Sequence, residues 1–432
     1  MHDVVIIGGG AAGVATAYFL RNSGLDVKVL EADPEVGGRT KSVTLAGHPM
    51  NTGAMFVYRD TLAEQLAHEL GLTTVPFEPT TYGVHMDGRT VVSADHDSLV
   101  EALPLEPQDK AALLGFIRAS LDQYARFTAD GQLSSESDAL GGTSLKADLE
   151  ALPDAVGAIV EKAIRGGSVA PASELSAKYA LRYFASYLAH EKKNRLYPVE
   201  GMQEIPRRMA RRLAAGTVET DVRVTAVTEG GPHGYLIRAE TAEGTRELRA
   251  RHVVFAVPAP QVAALTALPG WKIDALAQAR TPGATTLSVV ADVSATPAIR
   301  DWAFITTLGT RFDAIITAMP GGRSPDPDVM HFVCYGNEAG YLPGAEDDPE
   351  QVAAWVEDFL RVAPELRGRL LGVHLQTWEH CFSILTPARA GALDELQQRV
   401  GNLHFVGDYS SATAGTHGAY AEALRVSSVL SQ

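Results

Sequence analysis

Val4-Val5-Ile6-Ile7-Gly8-Gly9-Gly10-Ala11-Ala12-Gly13, then an apolar segment to Gly24, then Asp26-Val-Lys-Val-Leu-Glu31-Ala32, is the stretch whose reading decides the fold. Four β-branched residues in a row suit a strand buried on both faces. Gly8 permits the sharp turn out of that strand. Gly10 leaves the backbone bare where a pyrophosphate must approach, and Gly13 lets the following helix pack close to the strand. The phosphates then rest on free N–H groups at the helix N-terminus. The helix runs from Val14 to Ser23, and Gly24 ends it. Glu31 closes the second strand, where a carboxylate can accept both hydroxyls of a ribose; it repels a 2′-phosphate, so NADP is excluded from this site. Strand, glycines, helix, strand and acid fall in order, which is the context that makes a G-x-G-x-x-G pattern specific for a dinucleotide. Either NAD or FAD satisfies it.

The residues that follow separate the two. Gly37-Gly38-Arg39-Thr40 resembles the second fingerprint of the flavin amine oxidase superfamily, which includes phytoene desaturases and protoporphyrinogen oxidases. The resemblance resumes at Asn51-Thr-Gly53-Ala54-Met55-Phe56 and at Glu69-Leu-Gly71-Leu72. It appears again at Tyr197-Pro198-Val-Glu-Gly201-Met202, with Glu200 in place of a glycine, and at Val222-Arg-Val224. It returns at Leu403-His-Phe-Val-Gly407-Asp408-Tyr409-Ser410 and Gly415-Thr-His-Gly418-Ala419-Tyr420. It implies non-covalent FAD held by Gly8, Gly10, Ala12, Gly13, Glu31, Ala32, Gly38, Arg39, Gly53, Ala54, Met55, Phe56, Val224, Trp378, Gly407, Asp408, Gly418 and Ala419. By the same resemblance, Arg39 neutralises the diphosphate and Asp408 binds the ribitol or pyrophosphate side. The Gly53 turn passes beside the isoalloxazine ring. A helix starting near Gly418 points its N-terminus at the flavin N1–C2 carbonyl edge.

The chain has 432 residues, enough for two domains. Apolar residues make up 46%, a globular value, and the net charge is 37 − 52 = −15. That balance disfavours nucleic acid and anionic membrane surfaces as partners. Two cysteines, Cys334 and Cys381, cannot form a disulfide framework and fit a reducing cytoplasm. No secretory signal and no membrane-spanning run is expected. A homodimer is left open.

Further along, residues 61–70 predict a helix capped by Gly71, with Glu64 and His68 sharing a face. Asp87-Gly88 marks a hairpin. Residues 97–190 read as helices, one stripe running Leu149, Leu152, Val156, Ile159 and Val160, with a surface loop at Ser134-Ser-Glu-Ser137. Ser173 is the candidate cap of a helix carrying Tyr179, Tyr183 and Tyr187, a stripe that suits either core or cavity wall. Residues 285–293, 302–307, 312–318 and 329–335 are β-rich, followed by a helix near 352–362 and a strand ending at Trp378. The expected class is therefore α/β with an α+β substrate region. It comprises a Rossmann-like FAD-binding domain (1–75, 196–265, 381–432) and a discontinuous substrate domain of antiparallel sheet plus helices (76–195, 266–380).

One dinucleotide fingerprint and no second glycine turn imply that electrons come from the substrate and leave to O2. The resemblance places a lysine of amine oxidases at Leu287, so that lysine is absent here. Pro387 stands where monoamine oxidases attach flavin to cysteine, nine residues after Trp378, and Cys381 is read as a packing residue. Trp378, Phe382 and Tyr409 are the candidate aromatic wall facing the flavin, and Glu64 is the candidate acid near the substrate. Tyr58 and Arg59 follow the ring-adjacent turn, where Arg59 suits a substrate carboxylate. No metal is expected. The function expected is an FAD-dependent oxidase that removes hydride from a carbon next to nitrogen, in an amine or amide, in a specialised small-molecule or natural-product substrate. The alternative is an FAD-dependent desaturase or dehydrogenase forming a C=C bond.

Overall fold

Two seven-stranded sheets organise the chain. The computed structural model describes residues 1–77, 81–128, 140–187, 195–231, 234–318 and 326–432; the loop expected at Ser134–Ser137 and the side chain of Tyr187 lie outside the described residues. In the first sheet the strand His2–Ile7 is central. It pairs in parallel with Val27–Leu30 on one side and with the end of Gly244–Phe255 on the other. Val4, Val5 and Ile6 are fully buried, as a strand covered on both faces requires. The strand Gly244–Phe255 is twelve residues long and does two jobs. Its first half joins an antiparallel meander with Tyr235–Thr241 and Arg223–Glu229, and its last residues lie parallel to Leu403–Phe405. The two ends of the chain meet here. The helix Ala11–Leu20 shares its core with the terminal helix Gly415–Leu430 through Val14, Tyr18, Tyr420 and Val426.

The second sheet runs in the order Leu370–Trp378, Ala284–Asp292, Val329–Gly336, Phe312–Thr317, Phe304–Thr307, Tyr82–Met86, Arg89–Ser93. It is antiparallel as expected except at one place, where Phe304–Thr307 lies parallel to Tyr82–Met86. These strands come from distant parts of the chain, so no tight hairpin dictates their direction. The Asp87-Gly88 turn does join Tyr82–Met86 to Arg89–Ser93. One face of this sheet packs under the helices Pro107–Thr128, Asp154–Ser168 and Ala177–Tyr187, and the other under Pro349–Val362.

Three local expectations change. The apolar stripe from Leu149 to Val160 is broken: Lys146–Glu150 is a short helix, and a new one starts after Pro153, which cannot donate a helical N–H. Ser173 lies in the single turn Ala172–Glu174, before the tyrosine helix begins at Ala177. The terminal helix starts at Gly415 rather than near Gly418; Gly415 has φ +81°, a left-handed value that turns the chain into the helix three residues early. No helix among the described residues is long and apolar enough to cross a membrane.

Candidate active site

A cavity of about 790 Å³ runs between the two sheets. Its first end is made by the glycine turn. Gly10, Ala11 and Ala12 line it, and a side chain built at Gly10 meets no protein atom within 4 Å, because it points into the open space. No side chain caps the helix that starts at Ala11, so its first N–H groups remain available. Gly13 faces away: a Cβ there lies 1.9 Å from the Gly8 carbonyl oxygen. Glu31 also lines the cavity. Its Oε2 accepts the Gly9 N–H at 2.5 Å and its Oε1 accepts the Asp33 N–H at 2.9 Å. Burial raises its pKa against the pull of these hydrogen bonds. Ala32, Val222 and Val224 sit beside it. The bare backbone, free helix N-terminus and fixed carboxylate fit a dinucleotide.

In the middle, Arg39 and Asp408 face each other as a bidentate pair, at 3.0 and 3.2 Å. Asp408 also accepts the Ser383 N–H at 2.8 Å. Burial pushes the Asp408 carboxyl upward, but Arg39, that N–H and Arg389 outweigh it and hold it below the usual carboxylate range. Arg389 is itself buried and donates to the backbone carbonyls of Asp408, Tyr409 and Ser411, which fixes the turn.

The far end is aromatic. Trp378 Nε1 donates to the Thr52 carbonyl at 3.1 Å, and Tyr335 Oη donates to the Gly53 carbonyl at 3.1 Å. A Cβ on Gly53 would lie 2.4 Å from the Arg39 carbonyl oxygen and 3.1 Å from the Trp378 ring, so only glycine fits between them. Phe382 and Tyr183 pack against the cluster of Tyr179, Leu385 and Ala414, and Tyr179 Oη donates to the Ala412 carbonyl. The His417 ring lies 5.0 Å from that of Tyr58. Burial, with the Arg182 charge added, pushes the His417 imidazole down to about 3, so it is neutral at physiological pH. A large apolar cavity with a few convergent polar groups is the usual form of a small-molecule site.

A family model described as flavin containing amine oxidoreductase matches residues 11–431. The chain belongs to this family. A putative flavin-containing monoamine oxidase of Mycobacterium tuberculosis (strain ATCC 25618 / H37Rv) is 39% identical over 92 residues, 21% of this chain and 18% of that protein. Human amine oxidase [flavin-containing] B is 44% identical over 80 residues, 17% of this chain and 14% of its own length. The matches to these curated relatives thus span about a fifth of their length or less. The fold extends further. Cyclohexylamine oxidase from Brevibacterium oxydans IH-35A superposes with TM-score 0.77 at 20% identity, covering 100% of this chain and 98% of that one. Putrescine oxidase solved with putrescine bound superposes with TM-score 0.74 at 20% identity, covering 99% and 98%.

In this member of the family, most residues expected at the flavin line the cavity: Gly8, Gly10, Ala12, Glu31, Ala32, Gly38, Arg39, Gly53 to Phe56, Val224, Trp378, Gly407, Asp408 and Ala419. Five expectations are corrected. Tyr409 is fully buried in the first sheet's core, its Oη donating to the Phe255 carbonyl at 3.2 Å. Glu64 lies outside the cavity and accepts the Asp60 N–H at 2.7 Å, serving its own helix start. Gly418 packs inside the turn, where a Cβ would sit 2.2 Å from the Thr413 carbonyl oxygen. Arg59 is exposed and off the cavity. Leu287 points to the Trp355 face of its sheet, and its neighbour Thr286 faces the cavity, donating to the Thr52 carbonyl at 2.6 Å. The motifs did not reveal Arg182, Arg195, Tyr335 or Arg389, and gave His417, though it lies inside one of them, no role. The nearest signal is Arg182 inside the tyrosine stripe.

Proposed function

We propose that the chain is an FAD-dependent amine oxidase that takes hydride from a carbon next to nitrogen, giving an imine. The observation that carries this reading is one continuous cavity. A dinucleotide cradle at Gly10 and Glu31 opens it, and a wall of Tyr58, Tyr179, Trp378 and Phe382 closes it. The amines named for the two structural neighbours support the same class. When bound, the flavin supplies the two-electron acceptor, which O2 then reoxidises with release of hydrogen peroxide. The chain contributes placement and dryness. Trp378 and Gly53 form the surface beside which the ring would lie, and the aromatic wall excludes water and orients the reacting carbon. The cofactor unit in this reading is 1–75, 196–265 and 381–432, and the substrate unit is 76–195 and 266–380.

Anaerobic mixing tests it. An amine or amide is expected to bleach the flavin band, with peroxide on admission of air. Bleaching without peroxide indicates a dehydrogenase, and no bleaching by any amine or amide overturns the reading. Formation of a C=C bond is the second reading, favoured by Thr286 rather than a lysine facing the cavity from its strand; an alkene product identifies it.

The flavin is held without a covalent bond in this proposal. Cys381 lines the cavity, but burial pushes its thiol up to about 12 against the pull of Arg39, so it stays protonated. Acid precipitation is expected to leave all the colour in the supernatant as intact FAD. A yellow pellet overturns this.

A further inference from the structure

Arg182 stands on the helix Ala177–Tyr187 and lines the cavity. Its guanidinium carbon lies 5.2 Å from the centre of the Tyr58 ring. Its other charge-sensitive neighbours are Tyr124, Tyr179 and Tyr183, with His417 close by. None of these groups carries negative charge at neutral pH. Among the described residues no carboxylate lies within ion-pair distance of Arg182. Other withdrawn cations of this chain are answered in one of two ways. Arg39 has Asp408, and Lys162 and Arg165 share Asp313, whereas Lys272 and Arg389 each donate to three backbone carbonyls; among the described residues Arg182 has neither kind of partner. Arg182 is half-buried, and a guanidinium partly withdrawn from water without a counter-charge is costly, so a ligand that supplies the charge is favoured there.

His417 adds to the case. Both of its ring nitrogens are buried without a hydrogen-bond partner, and the residue lines the same space. A neutral imidazole always has one N–H to give. The carboxylates in the lining are engaged or remote: Asp408 is taken by Arg39, Glu31 and Asp33 stand at the glycine-turn end, and Glu379 is exposed. An amine with no anionic group would therefore meet uncompensated positive charge in this wall.

We infer that Arg182, with His417 beside it, is a carboxylate subsite, and that the substrate is an amine that also carries a carboxylate. The inference rests on the amine-oxidase reading. The fork of the guanidinium matches the two oxygens of a carboxylate, so the subsite selects that group over a single-point acceptor. It orients the far end of the molecule while the aromatic wall holds the carbon next to nitrogen.

The FAD-loaded protein tests this in two ways. The first uses unreactive ligands, benzoate against benzamide, with affinity read from the shift of the flavin absorption band. Benzoate is expected to bind at least about 10-fold tighter, the scale of one hydrogen bond to a charged group. The second uses matched amines, phenylalanine against 2-phenylethylamine and 6-aminohexanoate against pentylamine, with anaerobic bleaching as the readout. The carboxylated member of one pair is expected to win by a similar factor, and which pair it is reports the distance between amine and acid. Arg182→Gln, checked for flavin content and melting temperature, is expected to bring each preference below about threefold, with a larger loss for benzoate than for benzamide. Arg182→Lys is expected to restore part of it, having the charge without the fork. Equal treatment of all pairs by the unsubstituted protein overturns the inference. So does a correctly folded Arg182→Gln that keeps the preference. If no amine bleaches the flavin, with or without a carboxylate, the amine-oxidase reading fails instead, and the benzoate comparison still reports on the subsite.

Discussion

Gly13→Ala is expected to purify colourless and to melt well below the unsubstituted protein. The added methyl would stand 1.9 Å from the Gly8 carbonyl oxygen, 3.0 Å from its carbonyl carbon and 3.1 Å from the Ala256 Cβ. Two of these are backbone atoms, so no rotamer change relieves the clash. The helix Ala11–Leu20 must lift from the sheet, and with it the N–H groups that face the cavity. Overpacking of a rigid core costs about 1–3 kcal/mol, and more where backbone must move. Gly10→Ala is the informative contrast. Gly10 has φ −71°, which alanine adopts freely, and its missing side chain points into open space. Its apoprotein should keep its stability within roughly 0.5 kcal/mol. Flavin affinity should nevertheless fall by about 100-fold or more, because the methyl fills the approach to the phosphates. Apoprotein melting temperatures and fluorescence titration with FAD separate the two effects. A yellow, stable Gly13→Ala protein, or tight FAD binding by Gly10→Ala, shows that these glycines do not divide the work in this way.

What could be read in the sequence was local. The run Val4 to Ile7 announces a strand buried on both faces, and the glycines after it announce the turn, because both signals act over a few residues. Pairings across the chain left no such mark. Arg39 and Asp408 each looked like a separate contact to cofactor, yet they bind each other across 369 positions. Tyr409 looked like part of the wall because it follows Asp408, but the tight turn Asp408–Ser410 rotates it into the core. The assignment of Leu287 failed by one residue, and in a strand one residue exchanges the two faces of the sheet. Arg182 was hidden for a different reason. Inside a stripe of tyrosines it breaks a pattern without forming a motif, and only the absence of a nearby carboxylate among the described residues gives it meaning.

Mild acid is expected to destabilise the protein. The three histidines that burial shifts furthest lead this. Both ring nitrogens of His331 lack hydrogen-bond partners; burial, then the nearby His48, pushes it down to about 4. His404 pairs its Nε2 with His252 Nδ1 at 3.2 Å, and burial, then His252, Arg399 and Arg425, brings it to about 4. His417 lies lower still, at about 3. In the unfolded chain each titrates near 6.5, so between these limits the unfolded state binds more protons than the folded one. The contribution is complete above pH 6.5 and is lost as pH falls toward 4. For His331 and His404, each 4% exposed, the shift is equivalent to roughly 3 kcal/mol apiece. Glu31 and Glu161 act in the opposite sense, since burial raises both and the folded state gains their protons first. Asp408, held below the usual range, matters only under the ordinary aspartate value of 3.8. Melting temperature should therefore fall from pH 6.5 to 4.5, with His85, His252 and His374, lowered by burial as well, adding to, and Glu31 and Glu161 subtracting from, a net uptake of protons on unfolding near pH 5. His331→Phe should remove about one of them and flatten the slope accordingly. A melting temperature that stays level across this window would mean that these imidazoles are already charged in the fold. The neutral His417 beside Arg182 would then be lost as well, leaving two positive charges where the carboxylate subsite has one.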